Sequence, residues 1–212
     1  MLFTDRQQAG QLLANLLKAY QNNPEVIVIG LPRGGVILAH TIAQTLQAPL
    51  DIICARKIGA PYNLEFAIGA ITENGDFFLD QETIERLGIT ADYLDKETHK
   101  QTQEAARRVA VYKGKRPFLD LHEKTVILVD DGIATGATMK AAIKTTKSRG
   151  AKKIIVAVPV ASPTTLQEIE QEVNDILYLA APTYFMAVGQ FYEQFNQTTD
   201  EEVIALLSQG VY

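Results

Sequence analysis

Short, purely apolar runs separated by helix-like stretches constrain the fold of this chain most strongly. Val26–Ile29, Val126–Val129 and Ile154–Val158 are continuous apolar runs, which are typical of strands buried on both faces. Such strands belong to parallel sheets whose connections are helices. Two less regular strands, predicted over Asp51–Arg56 and Ile176–Leu179, bring the expected number to about five. The pattern therefore predicts an α/β fold in which helices flank a parallel sheet.

Helical stretches fill the intervals between these runs. A first helix is predicted from Thr4 to Tyr20, and Thr4 with Gln7 forms a capping box at its start. Ser162 followed by Pro163 marks the beginning of another helix, with Ser162 as its N-cap. Further helices are predicted over residues 36–46, 138–149 and about 199–208. Because 212 residues suffice for one α/β domain with its own hydrophobic core, we expect one domain over residues 1–212.

A segment from about residue 73 to 121 interrupts the alternation and is predicted to be an insertion. The turn pair Asn74-Gly75 predicts a hairpin between residues 67–72 and 77–79. A long, polar helix is then expected over residues 90–112. The basic residues near its end form either a lid over an anion or a solvated helix end: Arg107, Arg108, Lys113, Lys115 and Arg116. For Arg107 and Arg108 the solvated helix end is favoured, because Glu104 can pair with Arg108 one turn later in the helix. For residues 113–116 both interpretations stay open.

Two acidic residues, Asp130 and Asp131, follow the apolar run 126–129 and precede a loop of small residues that enters a helix. In open α/β sheets, ligands bind at the carboxyl ends of strands. A loop entering a helix N-terminus presents free N–H groups and the positive end of the helix dipole, so it can hold a phosphate. The predicted phosphate-binding residues are Gly132, Ala134, Thr135, Gly136, Ala137 and Thr138. Carboxylates beside a phosphate site favour a ligand with hydroxyl groups, such as a ribose 5-phosphate.

The stretch 126–138 resembles the 5-phosphoribosyl-1-diphosphate (PRPP) motif of type I phosphoribosyltransferases. That motif consists of four apolar residues, two acids, a small spacer and Thr-Gly-x-Thr, and the last part reads Thr-Gly-Ala-Thr in this chain. The alternative is a strand, an Asp-Gly turn and a Thr-rich helix cap that only pack well. The resemblance implies a Rossmann-like sheet with a small hood, and transfer of the phosphoribosyl group from PRPP to a nitrogen acceptor such as a nucleobase. It implies that Asp130 and Asp131 hold the ribose hydroxyls. It also implies Mg²⁺, carried mainly by the diphosphate, without a metal site built from protein side chains alone.

Two further loops support this resemblance. Leu31-Pro32-Arg33-Gly34-Gly35 resembles the diphosphate loop of the family, where a basic residue and glycine amides hold the leaving group and a peptide is often strained or cis. By itself, the segment is equally well explained as a turn with an exposed arginine. Ala55-Arg56-Lys57 and the later Leu64-Glu65-Phe66 resemble adenine-type members. Lys57 is expected to meet the diphosphate, and Glu65 either contacts the base or lies in an exposed mobile loop.

The tail from Phe185 to Tyr192 resembles the base-binding end of purine-type members, in which an aromatic ring stacks on the base. Phe185 and Phe191 are candidates for that ring, and Glu193 for an acidic partner, although aromatic residues at this spacing also suit a core. The acceptor stays open between a purine base, a pyrimidine base and a non-base amine.

Composition limits the other classes of function. A net charge of −5 argues against a nucleic-acid or membrane-surface binder, and no apolar run reaches 18 residues. The single cysteine, Cys54, excludes an intrachain disulfide and suits a core, so a cytoplasmic location is expected, as is a homo-oligomer. A regulator that binds PRPP without turnover and a scaffold built on the long helix remain as alternatives. Arg33 and Lys57 favour the enzyme.

Overall fold

The computed structural model of the protein describes residues 2–210, except the side chain of Glu65. In chain order the strands are β1 Val26–Gly30, β2 Leu50–Ile52, β3 Arg56–Ala60, β4 Asn63–Ile71, β5 Phe77–Leu79, β6 Thr125–Val129, β7 Lys153–Val160 and β8 Asp175–Ala180. The α-helices are α1 Arg6–Leu16, α2 Gly35–Leu46, α3 Gln81–Arg86, α4 Ala91–Lys113, α5 Ala137–Ser148, α6 Pro163–Glu170 and α7 Asp200–Ser208.

Five strands form the central sheet in the order β2-β1-β6-β7-β8, and every neighbouring pair is parallel. Successive side chains of a strand point to opposite faces, so β6 contributes to two cores. Ile127 and Val129 pack with α1, α2 and α7 on one face, whereas Val126 and Leu128 pack with α5 and α6 on the other. The structure therefore confirms the predicted α/β fold with a five-stranded parallel sheet flanked by helices.

A second sheet of three antiparallel strands, β3-β4-β5, lies outside the predicted pattern. The strand predicted over 51–56 was too long, because β2 ends at Ile52 and Arg56 opens β3 instead. The predicted hairpin between β4 and β5 is present, with Ile71 opposite Phe77, but β4 already begins at Asn63. The hairpin and its sheet, which correspond to the expected hood, thus start before residue 73. A separate small core explains this, since Ile58, Ile68 and Ile84 are buried together there.

The long helix α4 has the bounds predicted for it within one residue at each end. Thr90 is its N-cap and accepts a hydrogen bond from the backbone N–H of Tyr93 at 3.3 Å. The Tyr93 hydroxyl donates to the carbonyl oxygen of Gly59 in β3 at 2.8 Å, and the Tyr112 hydroxyl donates to Asp200 in α7 at 2.7 Å. The helix therefore joins the small sheet to the tail of the chain.

Basic residues at the end of α4 fix this helix to β2 and α7. Lys113 is buried and pairs with the buried Asp51 of β2. Arg116 donates to the carbonyl oxygen of Leu207 at 2.7 Å and to that of Tyr112 at 3.1 Å. These two basic residues hold elements together, whereas Lys115, which lies between them in sequence, is exposed. Arg107 and Arg108 both pair with Glu104, which confirms the predicted Glu104–Arg108 pair.

At two helices, α1 and α6, the capping interactions differ from those predicted from the sequence. The predicted capping box of Thr4 and Gln7 was wrong, because Asp5 is the N-cap of α1 and its carboxylate accepts from the Gln8 N–H at 2.7 Å. Pro163 opens α6 as predicted, but the Ser162 side chain makes no capping hydrogen bond within the described range.

None of the helices in residues 2–210 combines the length and apolar character needed to cross a membrane.

Candidate active site

The carboxyl ends of β1 and β6 open into a cleft of about 470 Å³. The cleft combines the start of α1, the loops after β1 and β6, one side chain of β3 and part of the tail. Its walls include Arg6, Arg33, Lys57, Asp130 and Thr198. Segments that are far apart in sequence therefore meet here, as the topology of a parallel sheet requires.

The structure brings the predicted site residues together in this cleft, with two exceptions. Those lining it are Arg33, Gly34, Lys57, Asp130, Asp131, Gly132, Ala134, Thr135, Gly136 and Thr138. The other two lie just behind the wall: Gly35 opens α2 beneath the carbonyl of Val129, and Ala137 is the buried first residue of α5. Their placement matches the pattern, while their chemical roles stay predictions.

The loop between β6 and α5 is held in a defined conformation. Gly136 adopts a φ of 74°, which side chains disfavour, and a Cβ there would lie 2.5 Å from Cγ2 of Thr165. The Thr165 hydroxyl donates to the carbonyl oxygen of Ala134 at 2.7 Å. The first N–H groups of α5 have no partner inside the helix, so the loop presents donors suited to an anion.

The loop after β1 faces the same cleft. Its Pro32–Arg33 peptide bond is cis, which is the kind of peptide that the resemblance implies. Nη1 of Arg33 lies 3.5 Å from Oδ1 of Asp200, the residue that also accepts from the Tyr112 hydroxyl. Lys57 enters from β3 with an exposed side chain. Two cations thus flank the cleft near its carboxylates.

The two carboxylates have different surroundings. Oδ2 of Asp131 accepts from Nε of Arg6 at 2.8 Å, whereas Oδ1 of Asp130 accepts from the backbone N–H of Asp131 at 2.8 Å. Arg6 is itself held, since it donates to the carbonyl of Asn196 at 2.7 Å and lies 3.9 Å from the ring centre of Phe195. Arg6 therefore fixes the orientation of Asp131 and makes no hydrogen bond to Asp130 among the described contacts.

The electrostatics of the pair favour a cation. Burial raises the pKa of Asp130 well above its ordinary value, and the negative charge of Asp131 raises it further. Burial also raises the pKa of Asp131, although Arg6 opposes that shift. Because the ionised pair is costly in this desolvated position, a positive charge placed beside it gains stabilisation.

Several residues of the cleft were not predicted from the sequence. They are Arg6, Phe195, Gln197 and Thr198, whereas Val188 belongs to the tail segment that resembles a base-binding end. Arg6 is an ordinary polar residue in the first turn of α1, and nothing in its local pattern indicates a partner 125 positions away. The Thr198 hydroxyl is buried and has no hydrogen-bond partner among the described residues.

The tail candidates from the sequence lie elsewhere. Phe191 is buried in the main core, and the Phe185 ring packs against it with the ring centres 5.1 Å apart. Glu193 is exposed, and none of these three side chains lines the described cleft. The prediction for Glu65 falls on a side chain outside the described residues. Phe195 is thus the aromatic residue that faces the cleft.

Known proteins resemble this chain in fold and in sequence. The crystal structure of TT1426 from Thermus thermophilus superposes with a TM-score of 0.82 and 38% identity, over 100% of both chains. A Mycobacterium tuberculosis protein, named provisionally as a phosphoribosyl transferase, is 40% identical over 209 residues. That match covers 99% of this chain and 47% of the relative, so the chain spans about half the length of the relative.

More distant relatives have named substrates. The uracil phosphoribosyltransferase of Staphylococcus haemolyticus is 27% identical over 159 residues, which cover 69% of this chain and 70% of that protein. The family model described as the phosphoribosyl transferase domain matches residues 4–196, a range that contains both loops of the cleft and its two acids. With that match over most of its length, the chain belongs to the phosphoribosyl transferase domain family.

Proposed function

We propose that this chain transfers the 5-phosphoribosyl group of PRPP to a nitrogen atom of a nucleobase and releases diphosphate. The observation that carries the proposal is that a helix-N-terminal phosphate loop, two acids and a basic glycine loop share one cleft of about 470 Å³. In the reaction, the bond from C1 of the ribose to the diphosphate oxygen breaks and a bond from C1 to the nitrogen forms. The acceptor nitrogen loses a proton, and the diphosphate leaves with the bonding electron pair.

Each part of the cleft would have one task. The loop from Gly132 to Thr138 would hold the 5′-phosphate, and Asp130 with Asp131 would accept hydrogen bonds from the ribose hydroxyls. The same acids would stabilise the positive charge that develops on the ribose, for which their desolvated position is suited. Arg33 and Lys57 would bind the departing diphosphate. Catalysis would then come from placement and electrostatics.

The carboxylates also fit Mg²⁺, a hard cation that prefers oxygen ligands and retains several waters. Among residues 2–210, no group of three His, Cys, Asp or Glu side chains lies in a metal-binding arrangement. We propose that the diphosphate would carry the ion and that Asp130 or Asp131 would contact its waters. When bound, the ion would neutralise charge on the leaving group.

The tail wall supplies groups suited to an acceptor base. The buried Thr198 hydroxyl has no hydrogen-bond partner within residues 2–210, and Gln197 offers an amide, so both can form hydrogen bonds to a base edge. Val188 lies against Gly132, where a Cβ would come within 2.6 Å of its Cγ1. The likeness to a uracil phosphoribosyltransferase supports a nucleobase as the acceptor.

The proposal is tested by measuring diphosphate release from PRPP with Mg²⁺ across a panel of purine and pyrimidine bases. We expect release that depends on one base or one narrow class of base. If PRPP binds but no base supports release, the chain is better described as a PRPP-binding regulator. Failure to bind PRPP at all would contradict the proposed function itself.

A Gly34→Ala variant is expected to lower the catalytic efficiency of diphosphate release by about 10²-fold, because a small misplacement of reacting groups has an effect of that size. A Cβ at Gly34 would lie 2.0 Å from Oδ2 of Asp131 and 2.7 Å from Nε of Arg6, so the pair must move. Steady-state kinetics would measure the loss. Gly88→Ala is the control, since its φ of 62° makes the substitution strained while its surroundings are open. It should cost roughly 1–2 kcal/mol of stability and leave the kinetics unchanged.

A further inference from the structure

Arg6 enters the cleft from the first turn of α1 and contacts three other segments of the chain. Its Nε donates to Oδ2 of Asp131 at 2.8 Å, and its Nη1 donates to the carbonyl oxygen of Asn196 at 2.7 Å. Its guanidinium carbon lies 3.9 Å from the ring centre of Phe195. Gly34, in the loop after β1, is so close that a Cβ there would lie 2.7 Å from Nε of Arg6. One side chain therefore joins an acid of the cleft to the tail.

The tail also holds the backbone of Asp131. The Tyr192 hydroxyl donates to the carbonyl oxygen of Asp131 at 2.7 Å, and the rings of Tyr192 and Phe195 lie 5.1 Å apart, centre to centre. Burial raises the pKa of Tyr192, and the negative charge of Asp131 raises it further, so the hydroxyl keeps its proton and remains a donor. The tail segment 192–196 thus fixes Asp131 at two points, directly at its carbonyl group and through Arg6 at its carboxylate.

An ion pair that only stabilises the fold explains this arrangement incompletely. The side chains of Arg6 and Asp131 are 10% and 16% exposed, and both residues line the cleft. Replacing a buried ion pair by apolar side chains is often neutral or stabilising, so stability alone gives little reason for such a pair here. Burial raises the pKa of Asp131, and Arg6 opposes that rise through its charge and its hydrogen bond. Arg6 thus favours the ionised and oriented carboxylate that the proposed reaction needs.

We propose that Arg6 is a positioning residue for the transfer reaction, through which the tail sets the orientation of the Asp131 carboxylate. The inference rests on the proposed function, in which Asp131 contacts the ribose and faces its developing positive charge. The guanidinium suits this task because its planar fork donates in fixed directions and can stack on an aromatic ring at the same time. Gln197 and Thr198, the groups proposed for the acceptor, directly follow Asn196 in the chain. The acceptor side of the cleft is thereby linked to an acid on the ribose side.

An Arg6→Met variant is expected to lower the kcat of diphosphate release by about 10²-fold, because Asp131 loses the contact that aligns it and a small misplacement has an effect of that size. The KM for PRPP should change much less, since every group assigned to PRPP binding remains in place. Steady-state kinetics with a base that supports release by the wild type would measure both constants. An unchanged kcat would overturn the proposal, as would a loss that appears only in KM.

Arg149→Met is the matched control. Arg149 has the same kinds of partner as Arg6, because it donates to the carbonyl oxygen of Leu119 at 2.6 Å and lies 5.1 Å from the ring centre of Phe118. It does not line the cleft. The control should therefore keep the kinetic constants of the wild type, and a loss of kcat equal to that of Arg6→Met would mean that Arg6 acts only through the stability of the fold.

Two further variants show whether Arg6 acts through Asp131 and through the tail. In an Asp131→Asn background, adding Arg6→Met should change kcat by no more than about twofold, since the group that Arg6 positions is already altered. A second loss of about 10²-fold there would mean that Arg6 acts independently of Asp131 and would overturn the proposal. Arg6→Lys keeps the charge beside Asp131 but lacks the planar fork, so it should recover only part of the loss. Full recovery would show that the contacts with Phe195 and Asn196 are not needed.

Calorimetric binding of PRPP separates a failure of this proposal from a failure of the proposed function. If the wild type releases diphosphate and Arg6→Met matches it, only the role of Arg6 is contradicted. If the wild type binds PRPP but no base supports release, the transfer reaction fails. Arg6 is then judged from the Kd of PRPP, which Arg6→Met should raise in the wild-type background and not in Asp131→Asn. If the wild type does not bind PRPP, both proposals fail.

Discussion

Replacing both Asp130 and Asp131 by asparagine is expected to slow diphosphate release from PRPP by about 10³-fold, the loss seen when one electrostatic stabiliser of a transition state is removed. Asparagine keeps the shape of each side chain and its acceptor oxygen, so the ribose can still be contacted. What disappears is the negative charge. The expected effect is therefore mainly on kcat, with a smaller effect on PRPP binding measured by calorimetry.

The fold of this double variant should survive. Burial raises the pKa of both carboxyls in the folded state, so ionising them costs folding free energy. That cost is absent below the ordinary carboxyl pKa and grows as the pH rises through the raised values. The amides avoid it, and Arg6 keeps its contacts with Asn196 and Phe195. Urea unfolding at several pH values would verify this, and a folded variant with wild-type turnover would contradict the role assigned to the acids.

Substituting Lys113 by methionine is expected to lower the free energy of unfolding by about 3–5 kcal/mol, the usual cost of removing one partner of a buried ion pair. The Lys113 side chain is 7% exposed and that of Asp51 is 3% exposed. Asp51 also accepts from the Leu119 N–H at 2.8 Å, so its carboxylate is tied into the fold and would be left buried without its cation. Denaturant unfolding would measure the loss.

The control for this prediction is Lys124→Met, which removes a surface ion pair with Glu25 at 3.0 Å. Exposed pairs contribute roughly 0–1 kcal/mol, so the loss should stay within that range. Near-equal losses in both variants would show that the Asp51–Lys113 pair adds little. The diphosphate-binding affinity should change in neither variant, because neither lysine lines the cleft.

Most strands of the central sheet could be predicted from local sequence patterns. The strands β1, β6 and β7 are buried on both faces, and such strands carry continuous apolar runs that are visible in one dimension. Asp130 and the loop that follows it could be placed at a strand end for the same reason. The extent of α4 followed from its long, continuous stretch of polar and charged residues. These features depend on neighbours within about ten residues.

Three features depend on residues that are distant in sequence. They are the sheet β3-β4-β5, the pairing of Arg6 with Asp131, and the basic cavity between β3 and α4. Arg6 meets Asp131 because the Phe3–Tyr192 bridge sets the amino-terminal segment beside the tail. Arg56 and Arg108 share a cavity because Tyr93 and the small core dock α4 on β3. Residues near in sequence thus determined the elements and the loop between β6 and α5, whereas the packing of those elements decided which charges face one another. Electrostatic interactions act through space, and their partners are set only when the chain is folded.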